Sequence, residues 1–261
     1  MSNLKEKAAA LLSEGKVQMI IGYEAGTKKP RPFFCEDASE AEKLIFNEDC
    51  HNNLAVYLTK KEIIGDRTIA IVATCNVLKS IIQLNKENQI NKETLVILTV
   101  DGQGEMIELS DFDEIQKYID EHPIPVNPKV AALLQKIDAM SREERWAYWK
   151  KELSKCIRCY ACRAACPLCY CNRCITEVNC PQWIDPWAAP LSNMEWQINR
   201  VMHMSGRCTG CGACADACPL DLPIGILTKR MAIDIQNEFG ESKDGNVLST
   251  FNPSDKENFI H

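Results

Sequence analysis

Residues 156–167 read CIRCYACRAACP, and residues 208–219 read CTGCGACADACP. Each stretch carries the order Cys-x-x-Cys-x-x-Cys-x-x-x-Cys-Pro, which is the spacing of bacterial ferredoxin motifs. In that pattern three closely spaced thiolates hold one 4Fe–4S cubane, and the fourth cysteine ligates the other cluster. The repeat therefore predicts two cubane clusters in the C-terminal half of the chain.

The crossed pattern also assigns the ligands of each predicted cluster. The two sets are Cys156, Cys159, Cys162 and Cys218 for cluster 1, and Cys208, Cys211, Cys214 and Cys166 for cluster 2. Gly210 and Gly212 allow the backbone to approach the cluster closely, because glycine adopts conformations closed to other residues. A zinc ribbon is the alternative, but zinc sites use paired Cys-x-x-Cys knuckles and not a repeated four-cysteine run that ends in Cys-Pro.

A second cysteine-rich string lies between the two motifs and predicts a candidate third metal centre. It comprises Cys169, Cys171 and Cys174, followed by Cys180. The centre is either another cluster or a structural zinc, with Cys180, Cys75 or Cys50 as the fourth ligand. The alternative is that these cysteines are small buried apolar residues, or that some of them replace an expected ligand.

Cysteine usage and charge narrow the class of protein. Twelve of the fifteen cysteines fall between Cys156 and Cys218. An odd count without a signal peptide argues against a secreted disulfide framework, so we expect metal ligands in a reducing cytoplasm. A net charge of −6 with scattered basic residues gives no reason to expect nucleic acid as a partner. The longest apolar run, Thr68–Leu78, is too short to span a membrane, so a cytoplasmic protein is expected.

The first 121 residues predict an α/β domain. Buried β-branched runs at 17–22, 68–73 and 95–100 alternate with predicted helices, and this alternation is typical of parallel strands joined by crossover helices. The predicted helices are 3–13, 39–46, 53–58, Cys75 to about Leu84, and 111–120.

The rest of the chain predicts a mainly helical dicluster ferredoxin-type domain. Residues 122–128 contain three prolines and predict a stiff linker before a cluster domain at 129–237. Residues 130–140 are predicted helical, and Ser141 with Glu144 forms a capping-box pattern that begins another helix, running towards Leu153. Residues 238–261 form a polar tail, which predicts a mobile end or a segment that docks a partner.

Cys75 follows the second predicted strand and begins a helix, where the helix dipole is expected to lower a thiol pKa. It is either a ligand or reactive thiolate at the sheet edge, or a packed cysteine at a strand end. Cys35 is predicted to be structural. No dinucleotide fingerprint follows a strand, since Gly102-Gln103-Gly104 lacks the third glycine.

The run 156–174 and the following Pro181-Gln182-Trp183 resemble the β subunits of deazaflavin-coenzyme-reducing hydrogenases and formate dehydrogenases of anaerobic microbes. Residues 17–27, 50–58 and 86–90 resemble the same family. Residues 202–231 are similar to the helical ferredoxin domain of heterodisulfide reductase small subunits, in which a helix follows the last ligand. The resemblance implies a relay of electrons between a flavin-containing heterodisulfide-reductase-like subunit and a hydrogenase or dehydrogenase module.

One segment departs from the family pattern. Where relatives read Gly-Cys-Asp-Ser-Arg, this chain reads Thr74-Cys75-Asn76-Val77-Leu78. A flavin site in that loop is therefore not carried over to this chain.

Three functions follow as hypotheses. The first is a non-catalytic electron-transfer subunit that passes single electrons through two or three 4Fe–4S clusters within an oxidoreductase complex. The second is a self-contained flavin-dependent oxidoreductase with its site near Cys75 and the clusters as its electron inlet. The third is a structural zinc adaptor. The donor and the acceptor of the electrons are not specified by any motif.

Overall fold

The computed structural model describes residues 2–101, 103–178 and 180–240, so most of the predicted tail lies outside the described residues. The strands are β1 Met19–Glu24, β2 Arg31–Cys35, β3 Leu44–Ile45, β4 Ile69–Val72, β5 Leu95–Val100 and β6 Met106–Leu109. The α-helices are α1 Ser2–Ser13, α2 Lys61–Ile64, α3 Cys75–Lys86, α4 Phe112–Glu121, α5 Pro128–Asp138, α6 Arg142–Ser154, α7 Ala161–Ala164, α8 Pro190–His203, α9 Ala213–Asp216 and α10 Ile224–Phe239. Short 3-10 helices cover Ala38–Lys43, Leu54–Tyr57 and Lys92–Thr94.

The described residues form two units, each built from segments that are not consecutive in the chain. Those of the first unit lie within Met1–Val126, Tyr160–Asn172 and Cys211–Cys218. Those of the second lie within Asn127–Cys159, Arg173–Gly210 and Pro219–His261. The first unit contains the sheet, and the second contains the long helices that follow it in the chain. The domain boundaries expected from the linker remain a prediction.

The first unit is organised around a mixed sheet with the strand order β2-β1-β4-β5-β6, and β3 also pairs with β1. The pairs β1–β4 and β4–β5 are parallel, as the alternating pattern predicted. Strands β2, β3 and β6 pair antiparallel with their neighbours, and none of them was predicted. All four residues of β4 are buried, which is typical of a central parallel strand covered on both faces.

Two predicted helices of this unit differ from the structure. Residues 39–46 form a 3-10 helix over Ala38–Lys43 and then enter β3, and residues 53–58 form a 3-10 helix over Leu54–Tyr57. Helix α3 begins at Cys75, as predicted, because the Thr74 hydroxyl accepts a hydrogen bond from the Val77 N–H at 3.4 Å. The predicted helix before the linker is α4.

The second unit is a set of long helices. Helix α8 packs against α6 and α10, and α10 also packs against α5. The predicted capping box is confirmed: the Ser141 hydroxyl accepts from the Glu144 N–H, and the Glu144 carboxylate accepts from the Ser141 N–H. Helix α5 begins at Pro128, the last residue of the predicted linker, since proline is well suited to a first helical turn. Helix α8 was not predicted. None of the helices among the described residues combines the length and hydrophobicity that a bilayer crossing needs.

A buried asparagine links the 3-10 helix Leu54–Tyr57 to α3, and its replacement is expected to destabilise the fold. Asn53 is 5% exposed, and its amide nitrogen donates to the Ser80 hydroxyl at 2.9 Å while its amide oxygen accepts from the Ala55 N–H at 3.2 Å. Asn53→Ala should lower the free energy of unfolding by about 2 kcal/mol, because it removes the acceptor of the buried Ala55 N–H and the donor to the Ser80 hydroxyl. Urea unfolding of the full chain, followed by circular dichroism, measures the change.

The matched control is Asn91→Ala. Asn91 makes a similar cap with the Glu93 N–H at 3.0 Å, but it is exposed to solvent. Its replacement should cost about 1 kcal/mol or less. Equal losses for the two variants would contradict the importance of the buried Asn53 contacts.

Candidate metal centre

The first cysteine loop begins directly after α6. The Cys156 N–H donates to the Leu153 carbonyl at 3.1 Å, which closes the last turn of the helix. Within the loop Arg158 and Tyr160 adopt left-handed backbone conformations, with φ of 56° and 60°. Helix α7 then begins at Ala161. The loop therefore reverses its backbone twist on both sides of Cys159.

The second cysteine loop repeats this conformation at the equivalent positions. The Cys208 N–H donates to the Met204 carbonyl at 3.1 Å, at the end of α8. Gly210 and Gly212 have φ of 71° and 81°, on both sides of Cys211. Helix α9 begins at Ala213. The glycines were expected from the sequence, whereas the matching conformation of Arg158 and Tyr160 was not.

The two one-turn helices that follow are also equivalent, and they pack against each other within the first unit. In α7 the Ala164 N–H donates to the Tyr160 carbonyl at 3.0 Å, and in α9 the Asp216 N–H donates to the Gly212 carbonyl at 3.1 Å. Cys166 directly follows the end cap of α7, and Cys218 directly follows that of α9. The third cysteine of each motif therefore lies on one of two helices that pack together, and the fourth lies two residues beyond the end of that helix.

The eight motif cysteines are distributed over both units. Those in the first unit are Cys162, Cys166, Cys211, Cys214 and Cys218, and those in the second are Cys156, Cys159 and Cys208. Cys162 is 7% exposed, whereas Cys159 is exposed. None of the fifteen cysteines is in a disulfide.

The donor set and the repeated loop backbone are compatible with 4Fe–4S ligation. Two loops with the same reversed twist each present thiols as the only ligand type, and thiolates are the ligands of 4Fe–4S clusters. Among the described residues, no three His, Cys, Asp or Glu side chains converge closely enough to hold one metal ion. Each cysteine of a cubane binds a different iron, so its ligands spread around the cluster instead of meeting at one point.

Helix α8 supports the first loop through a buried polar face that was not predicted from the sequence. The Asn193 amide nitrogen donates to the Cys156 carbonyl at 2.7 Å, and an Arg158 guanidinium nitrogen donates to the Ser192 carbonyl at 3.1 Å. The guanidinium carbon lies 5.6 Å from the ring centroid of Trp196, which is buried. The buried polar side chains of this face are Ser192, Asn193, Gln197 and Arg200. Polar residues at the helical spacing 193, 197 and 200 were the signal available in the sequence.

The first half of the inter-motif string belongs to the first unit. The Cys169 N–H donates to the Cys166 carbonyl at 3.1 Å, and an Arg163 guanidinium nitrogen donates to the Cys171 carbonyl at 2.6 Å. Between these cysteines the Tyr170 hydroxyl donates to the Glu87 carboxylate at 2.7 Å. The string is therefore anchored beside α3, which ends one residue before Glu87.

The anchored string borders a cavity of about 690 Å³ within the first unit. The cavity lies at the amino ends of β4 and β5, where Ile69 and Leu95 line it, and Tyr170 and Asn172 line it from the string. The site near Cys75, considered above for a flavin-dependent oxidoreductase, would lie at the opposite, carboxyl edge of the sheet.

The second half of the string belongs to the second unit. The Cys174 sulfur lies 2.9 Å from the hydroxyl of Thr176, which is 2% exposed, and Cys180 is exposed. Cys50, one of the candidate fourth ligands, is buried, and its sulfur lies 3.5 Å from the Asn47 amide oxygen. A third centre formed by Cys169, Cys171 and Cys174 remains a prediction.

At the carboxyl edge of the sheet, Cys75 is half-buried at the start of α3. The expectation of a lowered pKa is wrong: burial raises the Cys75 pKa above its ordinary value, and the nearby Lys79 charge opposes this only in part. Neighbouring polar groups are satisfied within the chain, since the Thr99 hydroxyl donates to the Ala73 carbonyl at 2.9 Å and the Tyr118 hydroxyl donates to the Val100 carbonyl. These contacts favour the packed cysteine over the reactive thiolate.

A comparison with known protein families identifies the class of protein to which the chain belongs. The 4Fe-4S binding domain family matches residues 202–222, which include the whole second motif. The chain is thus an iron–sulfur protein with a helical C-terminal region that carries at least one 4Fe–4S binding domain.

Two curated relatives are similar to part of the chain. The chain is 38% identical over 92 residues to the F420-dependent formate dehydrogenase subunit beta of Methanocaldococcus jannaschii, covering 35% of this chain and 24% of the relative. It is 32% identical over 92 residues to the F420-dependent formate dehydrogenase 1 subunit beta of Methanococcus maripaludis, covering 35% and 23%. The chain spans about a quarter of the length of these curated relatives. The resemblance to formate dehydrogenase β subunits that was predicted from the sequence is confirmed over this stretch.

The raised pKa of Cys75 predicts slow alkylation by iodoacetamide. The thiolate is the reacting form, so Cys75 should react more slowly than a solvent-exposed thiol at pH 8, and its rate should keep rising above pH 9. Cys35 should be slower still, because burial raises its pKa to about 11. Peptide mass spectrometry of the folded chain measures both rates.

Lys79→Ala removes the charge that lowers the Cys75 pKa, so it should slow the Cys75 reaction further, while Lys79→Arg should not. A Cys75 rate at pH 8 above that of an exposed thiol would contradict the assigned direction.

Proposed function

We propose that the chain is an electron-transfer subunit that holds two 4Fe–4S clusters within a formate-dehydrogenase-type or hydrogenase-type complex. The observation that carries the proposal is the repeated loop, in which both motifs share the same two left-handed positions around the middle cysteine. The 4Fe-4S binding domain match covers the second loop, and the conformational repeat supports the same role for the first.

The packing of α7 on α9 supports the crossed ligand assignment. Cys166 and Cys218 each follow the end of one of these helices, while Cys162 and Cys214 lie within them. The fourth cysteine of each motif thus follows a helix that packs against the helix of the other motif. We therefore assign Cys156, Cys159, Cys162 and Cys218 to cluster 1, and Cys208, Cys211, Cys214 and Cys166 to cluster 2.

The clusters supply one-electron redox chemistry at sites that the chain shapes. In the first loop the Arg158 N–H donates to the Cys156 sulfur, with 3.4 Å between nitrogen and sulfur. Burial of Cys162 and Pro167 excludes water from one side of the first loop. Exposure of Cys159 and of Ile157, which is 58% exposed, leaves an edge for electron entry or exit.

The second unit exposes large apolar side chains of the kind that subunit interfaces bury. Trp183 is 54% exposed, Trp187 is 64% exposed and Leu191 is 69% exposed. Aromatic side chains are enriched in protein interfaces. Because the relatives named above are β subunits, we propose that other redox subunits of such a complex cover this surface in the cell.

Metal analysis of the anaerobically purified full chain tests the proposal. We expect about eight irons and about eight acid-labile sulfides per chain from two cubanes. Cys162→Ser should lose about four irons, since it removes a ligand of one cluster. Cys35→Ser is the matched control, because Cys35 is buried in β2 outside both motifs and should leave the iron count unchanged.

Two results would contradict the proposed electron-transfer function. Zinc without labile sulfide would support the structural adaptor, and a flavin released by acid would support the flavin-dependent oxidoreductase. Cluster absorption with no released flavin is the result that we expect.

The inter-motif string has its own test. If Cys171 and Cys174 ligate a third centre, the double variant Cys171→Ser/Cys174→Ser should contain less iron or zinc per chain than the wild type. The Cys35→Ser variant again serves as the control. Unchanged iron and zinc would assign the string a structural role, in which Tyr170 and Glu87 anchor it.

A further inference from the structure

The two cysteine motifs are equivalent in backbone but opposite in charge. Within residues 156–167 the charged side chains are Arg158 and Arg163, whereas within residues 208–219 the charged side chain is Asp216. The residues just before the motifs, Lys155 and Arg207, are both basic and do not distinguish them. The first motif is thus cationic and the second is anionic.

The charge of Arg158 occupies a buried and defined position. Arg158 lies between Cys156 and Cys159 and is 6% exposed. Its guanidinium group donates to the Ser192 carbonyl at 3.1 Å and lies over the Trp196 ring. A buried charge acts more strongly on its neighbours than an exposed one, because both water and counterions are kept away from it.

The backbone at this position shows that arginine is not the residue that the loop conformation favours. Arg158 has φ of 56°, and the equivalent residue of the second loop is Gly210 with φ of 71°. A Cβ atom added at Gly210 would meet no atom within 4 Å, so both glycine and a larger side chain are compatible with the space. Left-handed conformations disfavour residues other than glycine, so the first loop keeps its arginine against the backbone preference.

Helix α8 holds the loop around this charge. The Asn193 amide nitrogen donates to the Cys156 carbonyl at 2.7 Å, one residue from the Ser192 carbonyl that accepts from Arg158. Both ends of the Cys156–Arg158 segment are therefore attached to the same turn of α8. This attachment fixes the guanidinium group relative to the first two cysteines of the motif.

We propose that Arg158 is a positioning residue that raises the reduction potential of cluster 1 above that of cluster 2. This inference rests on the two-cluster assignment made above. Reduction adds a negative charge to a cluster, and a nearby cation stabilises the reduced form. Arg163 acts in the same direction on the first motif, while Asp216 lowers the potential of cluster 2. An electron shared between the two clusters therefore resides mainly on cluster 1, at the edge where Cys159 is exposed.

The test is a dithionite titration of the full chain, purified anaerobically and followed by electron paramagnetic resonance. The wild type should show two separate reduction potentials. Arg158→Gln removes the charge and keeps a hydrogen-bond donor, so it should shift the higher potential downward and narrow the gap. Arg158→Lys keeps the charge and should preserve most of the gap.

Two further variants complete the design. Asp216→Asn should shift the lower potential upward, by less than the Arg158→Gln shift because Asp216 is exposed and screened by salt. Arg142→Gln is the matched control for the loss of an arginine charge. Arg142 is exposed at the first turn of α6, a 13-residue helix, roughly 20 Å along its axis from the loop. It should move neither potential.

Failure of this inference is distinguishable from failure of the two-cluster proposal. Fewer than about eight irons in the wild type would overturn the cluster assignment itself. A full iron content with unchanged potentials in Arg158→Gln would overturn the role of Arg158 alone. If Arg158→Gln does not retain its iron, Asp216→Asn decides, and a lower potential that does not move in that variant would overturn the charge asymmetry.

Discussion

A reversed backbone twist on either side of the middle cysteine is the constraint on which both cysteine loops depend. The second loop meets it with Gly210 and Gly212, for which positive φ is easily reached. The first loop uses Arg158 and Tyr160, for which the same conformation is unfavourable and must be held by surrounding contacts. The need for those contacts explains why the first loop is tied so closely to a neighbouring helix.

Helix α8 meets this need by burying polar groups that a helix normally turns to solvent. Its Ser192 carbonyl and Asn193 side chain bind the first loop, and Trp196 covers the guanidinium of Arg158. Buried polar groups are tolerated where they are hydrogen-bonded, and they then specify one arrangement more strictly than apolar contacts do. The helical unit is thus a scaffold for a loop conformation, while the α/β unit carries the two short helices that follow the loops.

Much of this fold was predictable from local pattern. Strand β5 was predicted with its observed bounds, because its residues form one uninterrupted β-branched and apolar run. Strands β2 and β6 were missed, since short antiparallel strands at a sheet edge, such as Arg31–Cys35, carry proline and charged residues and lack a continuous apolar pattern.

The Cys75 pKa was assigned the wrong direction because a sequence shows the helix start but not the burial that outweighs it. The eight motif cysteines came from spacing alone, whereas the support from Asn193 required the packing of α6 on α8.

Residues 160–172 and 211–218 belong to the same unit as the sheet, and Tyr170 is bonded to Glu87 beyond the end of α3. A fragment that stops at the proline-rich stretch 122–128 would therefore lack two segments of its own unit. Any ligand that orders those segments also favours the folded sheet, by the linkage between binding and folding. If the proposed clusters form, iron supply would therefore influence how long the α/β region survives proteolysis, although its sheet contains no motif cysteine.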